Sequence, residues 1–366
     1  MKLWQIAVLL IAGIGVGVAF PGRLTGLFGT VTLYVFLPAL IFEAAWQLDL
    51  RVMRQVWRPI VLLAFPGVLV TAAIVGAATH VAGALPWRVA LLLGAVLSAT
   101  DPVAVVAIFR QLVVPKTLAT IVESEALLND AVAVVVYRVI LMTFAIGATA
   151  AGTVQIAAGA VLGTAFGIGL GVVAAFVTSL ILRRGIGAVA QTGLTFVAAY
   201  GAYFAADRLQ WSGIFAVVSL GIVLRALETR HDVVRRADGV ERAWSIAAAA
   251  ANAVLFFLVG AALDVTRLLH APLVILLTLL AVAAARILLA YGGLALVRPR
   301  LDLRWKTVVR LAGVRGALSL ALALATPLAI EQRPIIIDAT FAVVLVTVLV
   351  SSFTIEPRVR ELGLDA

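Results

Sequence analysis

The apolar positions of this chain come in long unbroken runs rather than in alternating stripes. The runs lie near 3–20, 29–48, 60–79, 89–109, 118–146, 154–182, 189–206, 213–227, 243–263, 273–297, 308–328 and 335–354. A helix needs roughly 20 apolar residues to cross the hydrocarbon core of a bilayer. Short polar loops separate the runs. The pattern predicts an all-α polytopic membrane protein with about twelve transmembrane helices. The first run follows Met1-Lys2 and could be mistaken for a secretory signal. Its apolar stretch is longer than a signal core and no small-x-small cleavage site follows, so a retained span is expected. Trp4, Trp46, Trp57, Trp87, Trp211, Trp244 and Trp305 all fall at run ends, as interfacial aromatic belts require.

Composition agrees. The 366 residues are 64% hydrophobic and 13% charged, against about 25% charged for soluble domains. That excludes a water-soluble enzyme and a disordered chain. The net charge of +10 raises the question of nucleic acid. Such binding needs the basic residues on one patch, and here they are scattered between runs. Alternating the loops across the membrane puts 20 Lys and Arg on the side of the termini, 5 on the other and 3 within runs. The positive-inside rule then makes both termini cytoplasmic, in a multi-pass protein of an inner or plasma membrane. There is no cysteine. His80, His231 and His270 sit at span ends or in loops without metal-ligand spacing. No large soluble domain is expected after Thr354, and the hydrophilic stretch Glu228–Glu241 reads as a solvated loop.

The informative charges are those inside runs. Arg138, Arg286 and Arg315 are the basic ones; Glu43, Asp101, Glu125 and Asp130 are the acids, with Glu123 just before them. Each costs about 2.5–3.5 kcal/mol on insertion scales, so such residues pair with one another or line an ion pathway. Thr100-Asp101-Pro102 stands in the middle of the fourth run. Pro102 removes a backbone donor and disfavours helix at Asp101, so an interrupted helix with free carbonyls is expected, the way many transporters build a midplane site. The fifth run carries Glu125, Asn129 and Asp130. At helical spacing Glu125 and Asn129 share one face while Asp130 serves another. Asp130 is the first candidate for a carboxylate that takes a cation or a proton. Gly313-Val314-Arg315-Gly316 predicts a second interruption in the eleventh run. Arg315 reads as a fixed ion-pair partner of Glu43 and Glu125 rather than a substrate ligand.

These residues carry a resemblance. Leu40-Ile41-Phe42-Glu43-Ala44-Ala45, Ser98-Ala99-Thr100-Asp101-Pro102-Val103-Ala104-Val105, Leu127-Leu128-Asn129-Asp130 and Arg315-Gly316-Ala317-Leu318-Ser319-Leu320, in this order along the chain, resemble the monovalent cation:proton antiporter-1 family of NhaP-type antiporters and animal sodium/proton exchangers. Asn252–Gly260 and Arg286 look like further landmarks. The resemblance implies an inverted-repeat antiporter fold with two broken helices. It implies that Asp130, Asp101 and Thr100 bind the cation, with Asn129 beside them, and that Glu43, Glu125 and Arg315 form a structural ion pair. It implies electroneutral exchange, because Asn129 stands where electrogenic relatives have a second aspartate. Two departures matter. Ala126 replaces a serine whose hydroxyl is a cation ligand in relatives. Members commonly have thirteen spans, so an amino-terminal helix is expected to be missing.

The chain is therefore expected to be one membrane transport domain over 1–366. Its core helices would include 60–79, 89–109, 118–146, 273–297, 308–328 and 335–354, the others serving dimerisation. The expected function is exchange of sodium (or lithium or potassium) for protons by a homodimer with no cofactor. A passive cation channel and an intramembrane aspartyl-type enzyme using Asp101 and Asp130 are the rivals.

Overall fold

A computed structural model describes residues 3–19, 32–101, 103–146, 150–230, 237–261 and 272–365. Among the described residues each apolar run is mostly helical, two of the runs are interrupted, and no strand occurs. The helices are α1 (Leu3–Ala19), α2 (Leu37–Gln47), α3 (Leu50–Gln55), α4 (Trp57–Ala64), α5 (Pro66–Val81), α6 (Trp87–Val96), α7 (Val103–Leu112) and α8 (Lys116–Ile146). Then follow α9 (Ala150–Leu182), α10 (Ala188–Arg208), α11 (Gly213–Arg230), α12 (Ala237–Ala261), α13 (Pro272–Ile287), α14 (Leu303–Leu311), α15 (Ala317–Ala325) and α16 (Arg333–Glu361). Among the described residues six stretches are long and apolar enough to cross a membrane: Trp57–Val81, Lys116–Phe144, Ala151–Leu182, Gly239–Leu258, Pro272–Ala295 and Arg333–Glu361. The protein is a multi-pass membrane protein.

The chain divides into two compact units. One comprises Met1–Thr30, Arg51–Leu141 and Ala253–Ala366; the other comprises Val31–Leu50 and Met142–Asn252.

In the second unit, α9 lies against α11 through Gly163, Gly167 and Gly171. A Cβ at Gly167 would overlap the Ser212 carbonyl, and one at Gly171 the Ala216 carbonyl. Small residues at this spacing let membrane helices pack backbone to backbone, which replaces the hydrophobic drive that lipid removes. The other face of α9 exposes Val154, Val161, Phe166, Val173 and Leu180, the surface that acyl chains cover. Trp244 is fully buried, stacked on Phe196 with centroids 3.9 Å apart and tilted against Phe42 at 4.3 Å; its Nε1–H donates to Thr195 Oγ1 at 2.9 Å. Trp46 is also buried, whereas Trp57 and Trp87 are half exposed. Run-end position alone thus overstates the aromatic belt: two of these tryptophans are core residues. Glu228 is likewise buried in the last turns of α11, where Ser179 Oγ donates to it at 3.1 Å. The expected solvated loop therefore starts later, and 231–236 lie outside the described residues.

In the first unit, several buried threonines are satisfied within their own helix. Thr71 and Thr79 on α5 and Thr278 on α13 donate to carbonyls four residues earlier at 2.6–2.8 Å, the usual way to keep a hydroxyl inside a membrane helix.

Candidate functional site

The fourth apolar run loses helical geometry where its polar residues stand. Helix α6 ends at Val96, residues 97–101 are non-helical, and α7 begins at Val103. Pro102 lies outside the described residues. The eleventh run does the same: α14 ends at Leu311, residues 312–316 are non-helical, and α15 begins at Ala317. Each interruption frees backbone groups that lipid cannot satisfy.

The two interruptions satisfy each other. The Asp101 N–H donates to the Val314 carbonyl at 2.8 Å. Arg315 Nη1 donates to the Ser98 and Ala99 carbonyls at 2.6 and 3.1 Å, and Ser319 Oγ to Ala99 O at 3.4 Å. The approach requires glycine: a Cβ on Gly316 would overlap the Asp101 carboxylate. Helix α16 secures the second interruption from behind. The Arg315 N–H donates to Thr347 Oγ1 and Ser351 Oγ donates to Leu311 O, both at 3.1 Å.

Helix α8 adds the side chains. The Thr100 N–H donates to Asn129 Oδ1 at 3.2 Å, and Asn129 Nδ2 donates to Thr100 Oγ1 at 2.6 Å. Both ends of the Asn129 amide are spent on Thr100, so Asn129 clamps the unwound segment. Asp130, the next residue, is half-buried. Its Oδ1 is buried with no hydrogen-bond partner among the described residues. The charges acting on it come from Asp101 and Arg315. Thr100, Asp101, Asn129 and Asp130 are thus brought together around one crossing.

The ion-pair expectation needs correction. Glu125 is taken two-handed by Arg286 Nη1 and Nη2, and Arg286 also donates to Val309 O from Nε (3.1 Å) and Nη2 (2.6 Å). Gly313 makes room for that guanidinium, since a Cβ there would stand 2.7 Å from Arg286 Cδ. Arg315 is committed to the carbonyls of the first interruption and feels Glu125 only as a neighbouring charge. Glu43 belongs to the second unit, where Gln47 Nε2 and Ser245 Oγ donate to its Oε1. The role of Arg286 was missed because its run shows a buried cation but no partner. The glycines at 313 and 316 were the available signal for close approach. Asp338, another buried acid on α16, was passed over at a run end; it is engaged in an interaction.

Ala126 is buried and brings no hydroxyl to the site. Among the described residues no group of three or more His, Cys, Asp or Glu gathers as a metal cluster.

Comparison with known proteins places the chain. The family model for the transmembrane sodium/hydrogen exchanger matches residues 1–361. The Na(+)/H(+) antiporter ApNhaP of Aphanothece halophytica is 35% identical over 97% of this chain and 69% of its own length. The chain belongs to the sodium/hydrogen exchanger family. The Na(+)/H(+) antiporter NhaP of Pseudomonas aeruginosa is 34% identical over 92% of this chain and 82% of its own. The fold matches that of the sodium proton antiporter MjNhaP1 of Methanocaldococcus jannaschii with a TM-score of 0.84, at 22% identity, covering 98% of this chain and 92% of that one. Sodium/hydrogen exchangers are transporters, so the aspartyl-enzyme alternative falls away.

Proposed function

We propose that this chain exchanges sodium, or another small monovalent cation, for protons, with both competing for Asp130. One observation carries the reading. Around the crossing, the amides of Thr100 and Asp101 and the carbonyls of Ser98 and Ala99 all have partners. Asp130 Oδ1 is buried there with no hydrogen-bond partner among the described residues. A carboxylate removed from water needs a compensating charge, and here a proton or a cation supplies it. A hard cation prefers oxygen ligands, and Asp130, Asp101 and Thr100 offer them.

The cycle follows from that competition. The proton leaves Asp130 on one side of the membrane and a cation replaces it. The site is then presented to the other side, where the exchange reverses. Asn129 is neutral and spent on Thr100, so one carboxylate carries one positive charge in either direction, and exchange is electroneutral. Arg315, fixed on the first interruption, tethers the unwound segment and offsets part of the acidic charge. The inverted-repeat relation of the two broken helices, about twelve spans, a homodimer, an inner or plasma membrane and cytoplasmic termini complete the reading. The relatives' names, which are those of Na(+)/H(+) antiporters, support the exchange of sodium for protons.

The test is a proteoliposome assay with an imposed pH gradient, scanning sodium, lithium and potassium. Cation-dependent dissipation of the gradient, unchanged when the membrane potential is clamped to zero, is expected. Cation flux that proceeds equally well without any pH gradient would identify a channel instead.

A further inference from the structure

A polar contact beyond the ion site has no part in the exchange chemistry. Tyr137 follows Asp130 by seven residues on α8. At helical spacing it lies on the same face, about 10 Å further along the axis. It is 3% exposed, and its hydroxyl donates to Thr326 Oγ1 at 3.4 Å. Thr326 is 2% exposed and directly follows α15. Arg333, at the start of α16, donates from Nε to Thr326 O at 2.7 Å and from Nη2 to Leu324 O at 2.9 Å. The guanidinium therefore caps the carbonyl end of α15, where a cation is favoured.

The placement matters because α8 and α15 run together between two levels. At one level Asn129 and Asp130 of α8 meet the crossing, and Gly316 just before α15 touches Asp101. At the other level Tyr137 of α8 meets Thr326 at the end of α15. Between them, on the face of α8 that carries Asp130 and Tyr137, stand Ala133 and Val134, both buried and apolar. Leu328, two residues beyond Thr326, is 87% exposed and covered by no other part of the protein. A water-filled seam here would join Asp130 to one side of the membrane permanently, and an exchanger with such a seam would leak.

We infer that Tyr137, Thr326 and Arg333 form a fixed plug that closes the α8–α15 seam between Asp130 and the Arg333 side of the membrane. The phenol fills the seam and the threonine hydroxyl anchors it. The guanidinium at the mouth adds a positive charge that repels cations. Ions must then reach Asp130 by another face of this unit. The inference rests on the reading of Asp130 as the exchange site, and its main test does not depend on transport.

The chain has no cysteine, so a single reporter can be placed without background. Val134→Cys puts a thiol between Asp130 and the plug. Sealed vesicles are treated with an anionic, membrane-impermeant methanethiosulfonate, applied to each face in turn. The Val134→Cys protein should label slowly from the Arg333 side. Adding Tyr137→Ala should raise the labelling rate from that side on the order of tenfold, since thiol reactivity follows exposure. The same Tyr137→Ala protein should pass protons in the absence of any transported cation. Rapid labelling with Tyr137 in place, or no acceleration and no proton leak without it, would overturn the plug. If Tyr137→Ala fails to elute as a folded species, Arg333→Gln with Val134→Cys carries the same test from the surface end. Flux retained by Asp130→Asn would refute the exchange mechanism and leave the labelling result intact.

Discussion

The pairing of Glu125 with Arg286, rather than Arg315, can be tested by its energetics. The two side chains are 2% and 8% exposed and meet through two hydrogen bonds. Removing one member of a buried pair costs about 3–5 kcal/mol, because the other charge is left uncompensated. Arg286 would keep its two bonds to Val309 O, so Glu125→Leu should fall near the lower end, about 3 kcal/mol. Replacing both partners by apolar residues of similar volume is often neutral, so adding Arg286→Met should recover most of the loss. Adding Arg315→Met should not, because Arg315 Nη1 donates to the Ser98 and Ala99 carbonyls and the bonds to Glu125 come from Arg286. The assay is thermal unfolding of the purified protein in detergent, read as a double-mutant cycle for each pair. The 125/286 coupling should reach roughly 2–3 kcal/mol and exceed the 125/315 coupling clearly. A stable Glu125→Leu, or rescue by Arg315→Met instead of Arg286→Met, would refute the assignment.

Three further outcomes follow from the same geometry. Asn129→Ala frees the Thr100 N–H and hydroxyl and should weaken apparent cation affinity in a concentration series while maximal flux falls less; unchanged affinity would remove the clamp. Gly316→Ala forces a Cβ into Asp101 and should abolish exchange while α9, α11 and their packing survive, as judged by size-exclusion behaviour and helicity; normal flux would mean that the crossing can open freely. Ala126→Ser adds a hydroxyl on α8 one turn before Asp130 and should shift the preference among sodium, lithium and potassium; an identical selectivity series would mean that other oxygens already complete the site.

The all-helical class was legible because lipid leaves only one solution for a single long apolar segment, and the described part of each run is mostly helix. The interruptions were legible too, since Thr100-Asp101-Pro102 and Gly313-Val314-Arg315-Gly316 cannot continue a helix at low cost. The pairing of charges was not. A run says that Arg286 and Arg315 are buried, but the choice between Glu43 and Glu125 depends on which helices cross and at what height. That is set by close contacts such as Gly313 against Arg286 and Gly316 against Asp101. The same holds for Asn129. Its face on α8 could be read from spacing, but its use as a clamp depends on where an unwound backbone passes. Trp46 and Trp244 were misread because a run end can be covered by neighbouring helices as well as by headgroups.

The central claim is that one carboxylate, Asp130, alternately carries a cation and a proton. Its most direct test is sodium-driven proton movement in proteoliposomes, compared between the native chain and Asp130→Asn at equal reconstitution. Loss of all sodium-dependent proton movement in Asp130→Asn, with the protein still folded and inserted, is the predicted result. Sodium-dependent proton movement that persists at the native rate in Asp130→Asn would contradict the account.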